Sequence, residues 1–275
     1  MMRACLALAV LCEGLAWAQA PSYSAASIVN GANFTAGAAA PNSFLSLFGS
    51  NLAWDAQPLT TDLITNGCLP ISLAGVQVWV GSAYAPLYYV SPTQINLLIP
   101  ANLKPGPVTL RVVRQGVTGP EITLTLASAA PQLFATTEGY LIAQHADYSL
   151  INPDAPAHPG EVIVVYAIGL GQTAPQPEPG EIPTYPGWMT QLSDLQVTVG
   201  GVALTPDRIW YAGLTPGWPG LYQINLVLPD PLDANPELLV AVGSQVSSTG
   251  LKLAATSEPA PPAPQPSAAG KRYTH

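Results

Sequence analysis

The chain has 275 residues, of which 48% are hydrophobic and 9% charged, with 30 Pro and 24 Gly. So much Pro and Gly beside so little charge excludes a mainly helical protein, because helices tolerate neither interior Pro nor an uncharged wet face. The net charge is −8 and the 8 Lys and Arg are scattered, which excludes the clustered basic surface that nucleic-acid binding requires.

In chain order, the first predicted element is an export signal over residues 1–20. Met1-Met2-Arg3 supplies the positive charge, Ala4 to Leu11 the short apolar run, and Leu15-Ala16-Trp17-Ala18-Gln19-Ala20 the small residues at A-x-A spacing. Cleavage is expected after Ala18 or Ala20; Pro21 directly follows the second bond and makes the first the better site. The run falls short of the roughly 18–20 apolar residues that a span needs, so no membrane span is expected after cleavage. Cys5 and Cys12 belong to this signal. Cys68 then stands alone, which rules out an internal disulfide and leaves a small buried apolar side chain, a reactive thiol or an intermolecular link.

Strands follow at short intervals. Val76, Val78 and Val80 alternate with Gln77 and Trp79, the period of a half-buried strand. Ser43–Phe48, Gln94–Ile99, Val108–Val113, Ile122–Leu126, Leu141–Gln144, Val162–Ala167, Leu195–Val199, Ile209–Tyr211, Gln223–Leu228, Leu238–Val242 and Leu251–Ala254 read the same way. Lys104-Pro105-Gly106-Pro107, Gln115-Gly116, Pro159-Gly160 and Asp230-Pro231 are turn signals between them.

Three of these blocks occur twice, in the same order. Leu45 corresponds to Ile163 at an offset of 118, Val76 to Leu195 at 119, and Gln94 to Gln223 at 129. The jump to 129 places an insertion near Ala212–Gly220. The sequence thus predicts an all-β protein of two tandem immunoglobulin-like β-sandwiches, 21–128 and 129–255. Gln172–Met189 reads as a long loop of the second copy. From Thr256 the chain turns to Ser-Glu-Pro-Ala-Pro-Pro-Ala-Pro-Gln-Pro, and residues 256–275 are expected to be a disordered, partly polyproline tail.

Val29-Asn30-Gly31-Ala32-Asn33-Phe34, Ser46-Leu47-Phe48-Gly49-Ser50-Asn51-Leu52, Leu69-Pro70-Ile71-Ser72-Leu73-Ala74-Gly75-Val76 and Tyr89-Val90-Ser91-Pro92-Thr93-Gln94-Ile95-Asn96 carry a family resemblance. Tyr166-Ala167-Ile168-Gly169-Leu170-Gly171, Tyr211-Ala212-Gly213-Leu214 and Gly220-Leu221-Tyr222-Gln223-Ile224-Asn225 carry it in the second copy. Over about residues 25–255 the chain resembles the Solibacter-type uncharacterised C-terminal domain of secreted acidobacterial proteins. Its Phe48–Leu52 segment is also similar to the wider IPT/TIG sandwiches. The resemblance implies an exported module usually appended to other domains, with no established activity. Pro41-Asn42 departs from the Pro-Gly that the family carries before its first long strand. No partner domain precedes the module in this sequence, which leaves room for a role other than an appendage.

Candidate chemistry is sparse. His145 with Asp147, and His158 with Glu161, each offer two metal ligands where a closed site needs about four, so no metal and no cofactor are expected. The third histidine, His275, ends the tail. No G-x-S-x-G elbow is present. Asn66-Gly67-Cys68-Leu69-Pro70 reads as a turn, and the pairs Asp154/Glu161 and Glu178/Glu181 lie in loops. The repeated triplet places Gln94 and Asn96, and again Gln223 and Asn225, on one strand face. They are expected to hold the backbone of the preceding loop rather than a ligand. Trp188, Trp218 and Tyr185 are the candidate ligand-binding aromatics, either stacking on a partner or pinning the long loops; Trp210 is expected in the core. These features predict a non-catalytic exported module for adhesion or assembly at the cell surface. The alternative is a carbohydrate-binding module using the second copy's loop aromatics, and a hydrolase ranks last. A protein or polysaccharide of the envelope is the expected partner.

Overall fold

A computed structural model describes residues 19–260. The signal expected over residues 1–20, up to Ala18, and the expected tail beyond Ala260 lie outside the described residues. The first copy is built from β1 (Ile28–Asn30), β2 (Phe44–Phe48), β3 (Gln57–Pro58), β4 (Val76–Val80), β5 (Ala83–Tyr84), β6 (Leu87–Val90), β7 (Gln94–Leu98), β8 (Gly106–Arg114), β9 (Val117–Thr118) and β10 (Ile122–Leu126). They form two sheets, β1-β2-β7-β6-β3 and β10-β8-β4-β5, with β9 on β8. The second copy comprises β11 (Gln132–Leu133), β12 (Ala143–His145), β13 (Val162–Ile168), β14 (Thr173–Ala174), β15 (Trp188–Met189), β16 (Leu195–Val199), β17 (Val202–Ala203), β18 (Ile209–Leu214), β19 (Tyr222–Val227), β20 (Leu238–Val242) and β21 (Gln245–Val246). Its sheets run β11-β13-β19-β18-β15-β14, with β12 on β13, and β17-β16-β20-β21.

The period-two pattern decides what is inside. Val76, Val78 and Val80 of β4 pair across to Arg114, Val112 and Leu110 of β8 and are fully buried. Val197 and Val199 of β16 do the same with Val240 and Leu238 of β20. One core runs from Ile28 to Leu126 and the other from Ala129 to Ala255. Each sandwich buries its own apolar face, which is the driving force for folding.

The copies match beyond the sequence blocks. Ala39 bridges Leu126 in parallel in the first, and Ala157 bridges Ala255 in the second. Both also carry a β-bulge on the strand beside the Gln-Ile-Asn strand. Leu87 faces Leu97 and Tyr89 faces Asn96, so Tyr88 is the extra residue. Ile209 faces Leu226 and Tyr211 faces Asn225, so Trp210 is the extra residue there. A bulge leaves its extra residue out of the ladder and re-aims the side chain there.

That bulge corrects one expectation: Trp210 is 59% exposed and is not core. Two strand expectations also shift. Leu251–Ala254 is reduced to bridges from Lys252 to Tyr140 and Glu237, and the Leu141–Gln144 strand lies at Ala143–His145. In the second copy β18 continues to Leu214, so the inserted loop is 215–221 rather than 212–220. The long loop 172–189 contains β14 and β15, which pair and extend the second copy's sheet at β18.

The segment 175–187 between those two short strands packs on the first copy. Leu69 N donates to Gly180 O at 2.9 Å and Ile182 N to Gly67 O at 2.8 Å. Gln176 Nε2 donates to Ala101 O at 2.5 Å. The strap therefore belongs to the second sandwich by sequence and to the junction by contact. Asn33 Nδ2 adds bonds to Gln132 Oε1 and Ser248 Oγ at the other side of the junction.

Candidate functional site

The inserted loop 215–221 lies over the outward face of the first copy's β2 and β7. Leu98 on that face is almost fully buried although it shares the strand side of the half-exposed Gln94 and Asn96. Gly220 covers it: a Cβ on Gly220 would sit 2.3 Å from Leu98 Cδ1, and its φ of +74° favours glycine as well. Tyr88, released by its bulge, donates its hydroxyl to Pro219 O at 2.6 Å. Its ring meets Phe44 edge-on at 5.1 Å and 77°. Burial holds the Tyr88 hydroxyl far above the ordinary phenol range, so it stays a neutral donor.

Between these groups a cleft of about 340 Å³ opens at the junction, with Phe44, Tyr88, Phe134, Ile168, Trp218 and Leu221 among its walls. Among the described residues none of those lining it is charged. Aromatic rings carry large apolar area and defined geometry at low entropic cost. The cleft can therefore accept an apolar segment.

Of the sequence-predicted aromatics, Trp218 is in this cleft and is 61% exposed. Trp188 is elsewhere, on the outer face of the second copy's large sheet. It is 45% exposed and packs edge-on against Tyr211 at 4.8 Å. In register beside it run Gly213, Gln223 and Tyr166. Tyr185 sits in the strap, where its hydroxyl donates to Glu181 Oε1 at 3.1 Å. The three residues do not converge.

The repeated amides behave differently from expectation. Gln94 Nε2 donates to Asn96 Oδ1 at 2.9 Å, and Ser46 Oγ donates to the same oxygen at 3.0 Å. Gln223 Nε2 donates to Asn225 Oδ1 at 3.0 Å. The preceding loop of the first copy is held by Ser91 instead, whose Oγ accepts from Gln94 N at 2.9 Å. Side chains two apart on a strand share a face, so each amide pair satisfies itself on the sheet surface.

The two loop histidine pairs meet at one carboxylate. Glu161 contacts the His145 ring with one oxygen and accepts from His158 N at 2.9 Å with the other. The His158 ring turns away to Glu258 O at 2.9 Å, and Asp147 caps Ser149. Among the described residues no three His, Cys, Asp or Glu side chains gather as a metal site. Cys68 is half-buried in the turn made by Asn66 (φ 53°) and Gly67 (φ 72°), with its backbone bridged to Glu181.

Sequence reading missed Phe44, Tyr88 and Phe134. A signal existed for Phe44, whose spacing with Ser46 and Phe48 puts it outside while Leu45 and Leu47 point in. Sequence reading also missed Arg114. It is 1% exposed on a core-facing position where the second copy has Val242. Its guanidinium donates to Asn51 O and Gln19 O, both at 2.6 Å, and lies 4.0 Å from the Trp54 ring centre.

No family model and no curated protein matches the chain. Among solved structures it is similar to the Bacteroides ovatus mixed-linkage glucan utilization locus SGBP-B in complex with a mixed-linkage heptasaccharide, at 13% identity and TM-score 0.32, covering 80% of this chain and 43% of that one. It is also similar to SGBP-B from a complex xyloglucan utilization locus in Bacteroides uniformis, at 9% identity and TM-score 0.27, covering 85% and 49%. Domains 5–6 of the S-layer protein SbsC match at 10% identity and TM-score 0.26, covering 86% and 99%. The chain spans less than half the length of the first two. Scores this low carry no argument about its ligand.

Proposed function

We propose that this chain is a non-catalytic binding module acting outside the cytoplasm, in adhesion or assembly at the cell surface, and that the junction cleft is its contact site. The observation that carries the reading is the cleft itself: an uncharged, aromatic-walled opening with Trp218 exposed at its edge. Interface hot spots have this composition. The signal expected at residues 1–20 supports export, and the resemblance of the motifs in residues 25–255 to the Solibacter-type family supports the same compartment. Among the described residues no helix is long and apolar enough to cross a membrane. Peptide display against the wild type, counter-selected on Trp218→Ala, tests the site. Apolar or Pro-rich peptides retained by the wild type and lost by the variant are the expected outcome; equal retention by both removes the cleft.

A second reading has its own observation. Trp188 stands on an outer sheet face beside the Gln223–Asn225 amide pair, a stacking ring next to hydrogen-bonding groups, which suits a polysaccharide. A glycan array with the wild type and Trp188→Ala checks it, and no wild-type binding to plant or microbial polysaccharides eliminates it.

A further inference from the structure

We propose that the occupant of the junction cleft is the Pro-rich segment Pro259–Pro266 of a second copy of this chain, so that copies join head to tail. The inference rests on the cleft being a contact site, and it names the partner.

The chemistry matches first. Pro259-Ala260-Pro261-Pro262-Ala263-Pro264-Gln265-Pro266 holds five prolines in eight residues and no charge. Pro259 and Pro262, and again Pro261 and Pro264, are three apart, the repeat that puts prolines on one edge of a polyproline II helix. Such segments dock on aromatic-lined grooves with little ordering entropy to lose. Phe44, Tyr88, Phe134 and Trp218 line the cleft, and it too is uncharged.

The place where the segment leaves the sandwich decides between its own cleft and a neighbour's. Thr256 N donates to Ala157 O at 2.9 Å, and Glu258 O meets the His158 ring. The segment therefore departs near the beginning of β13. The cleft lies past the other end of β13, at Ile168. Seven strand residues separate the two by about 20 Å. A polyproline II segment of this length spans about 25 Å. Reaching its own cleft would spend the proline run as a connector, leaving only its last residues to dock. A second copy brings the whole run. Donor segment and acceptor cleft lie at opposite ends of one sandwich, so the contact is heterologous and passes from copy to copy, as a ring or an open chain.

Sedimentation velocity on the mature chain is the test, beside a variant ending at Ala260 and the variant Trp218→Ala. The mature chain is expected to associate with rising concentration, while both variants stay monomeric. A synthetic peptide of residues 257–268 is expected to shift the tryptophan fluorescence of the shortened variant, at least tenfold more weakly with Trp218→Ala. Pro261→Ala combined with Pro264→Ala in the mature chain, which leaves both cores untouched, is expected to weaken association similarly. A mature chain that stays monomeric at millimolar concentration overturns the proposal, as does association that survives loss of the segment. Peptide binding without association places the segment in its own cleft and also overturns it. Failure here with continued Trp218-dependent capture of foreign peptides removes self-assembly alone and leaves the cleft a contact site.

Discussion

Arg114 and Tyr222 show how single side chains hold each sandwich and the joint between them. Arg114 occupies a core position as a cation, with backbone carbonyls and the Trp54 ring standing where a carboxylate would. Its stem packs and its head ties the segment around Gln19 and Asn51 to β8. Arg114→Ala is expected to destabilise the first sandwich by about 2–4 kcal/mol, read as a lower urea midpoint. Tyr222 is fully buried; its hydroxyl donates to Gly171 O at 2.5 Å and accepts from Asn42 Nδ2 of the first copy at 3.4 Å. Burial pushes the phenol up to about 12 from its ordinary 10.0, against a small opposing pull from Asn42. A raised folded-state pKa contributes stability that is complete below the unfolded value and is lost as pH rises through the folded one. The denaturation midpoint should therefore be insensitive to this group up to about pH 9 and fall between about 10 and 12. Tyr222→Phe should flatten its share of that fall while costing about 1 kcal/mol at neutral pH, in a comparison of the two pH profiles.

At the scale of elements, the inserted loop 215–221 is the piece that makes the site. Gly220 lets the loop lie against Leu98, and Pro219 receives the Tyr88 hydroxyl. Gly220→Ala combines a strained φ of +74° with a clash against Leu98. It is expected to lower stability by more than 1 kcal/mol. It should also raise the exposure of Phe44 and Tyr88 to surface labelling; labelling unchanged from wild type would show that the loop docks without this contact. The strands around the loop were legible, because Val-x-Val alternation announces a half-buried strand wherever it sits. The bulges at Tyr88 and Trp210 were not. A bulge turns on pairing register between strands, and the run Ile209-Trp210-Tyr211 read alone looks like regular strand. The Gln-Asn pairs were half legible: their shared face follows from spacing, whereas their choice of each other over the loop backbone depends on what Ser91 already holds.

For the whole molecule, the relevant feature is that the strap 175–187 leaves the second sandwich, pairs with Gly67 and Leu69 of the first, and returns. It couples two domains that each have a core of their own. Scanning calorimetry should show one merged transition for the wild type and two separated ones when residues 176–186 are replaced by a Gly-Ser linker of equal length. A single transition in both would mean that the end-on contacts through Asn33, Tyr88 and Tyr222 suffice. The strap read as a structureless loop in the sequence because its hydrogen bonds are made to a different domain, and local periodicity carries no record of them.

What the sequence determined by itself is the all-β class and the duplication, since both rest on local alternation and on blocks repeated at offsets of 118, 119 and 129. Each sandwich buries a face whose pattern is written every second residue. Tertiary structure alone decided that Trp218, Phe44 and Tyr88 share a cleft while Trp188 and Tyr185 lie apart from it. That grouping depends on how two finished sandwiches meet, a choice made by the fit of Gly220 on Leu98 and of the strap on Gly67, between residues more than a hundred positions apart.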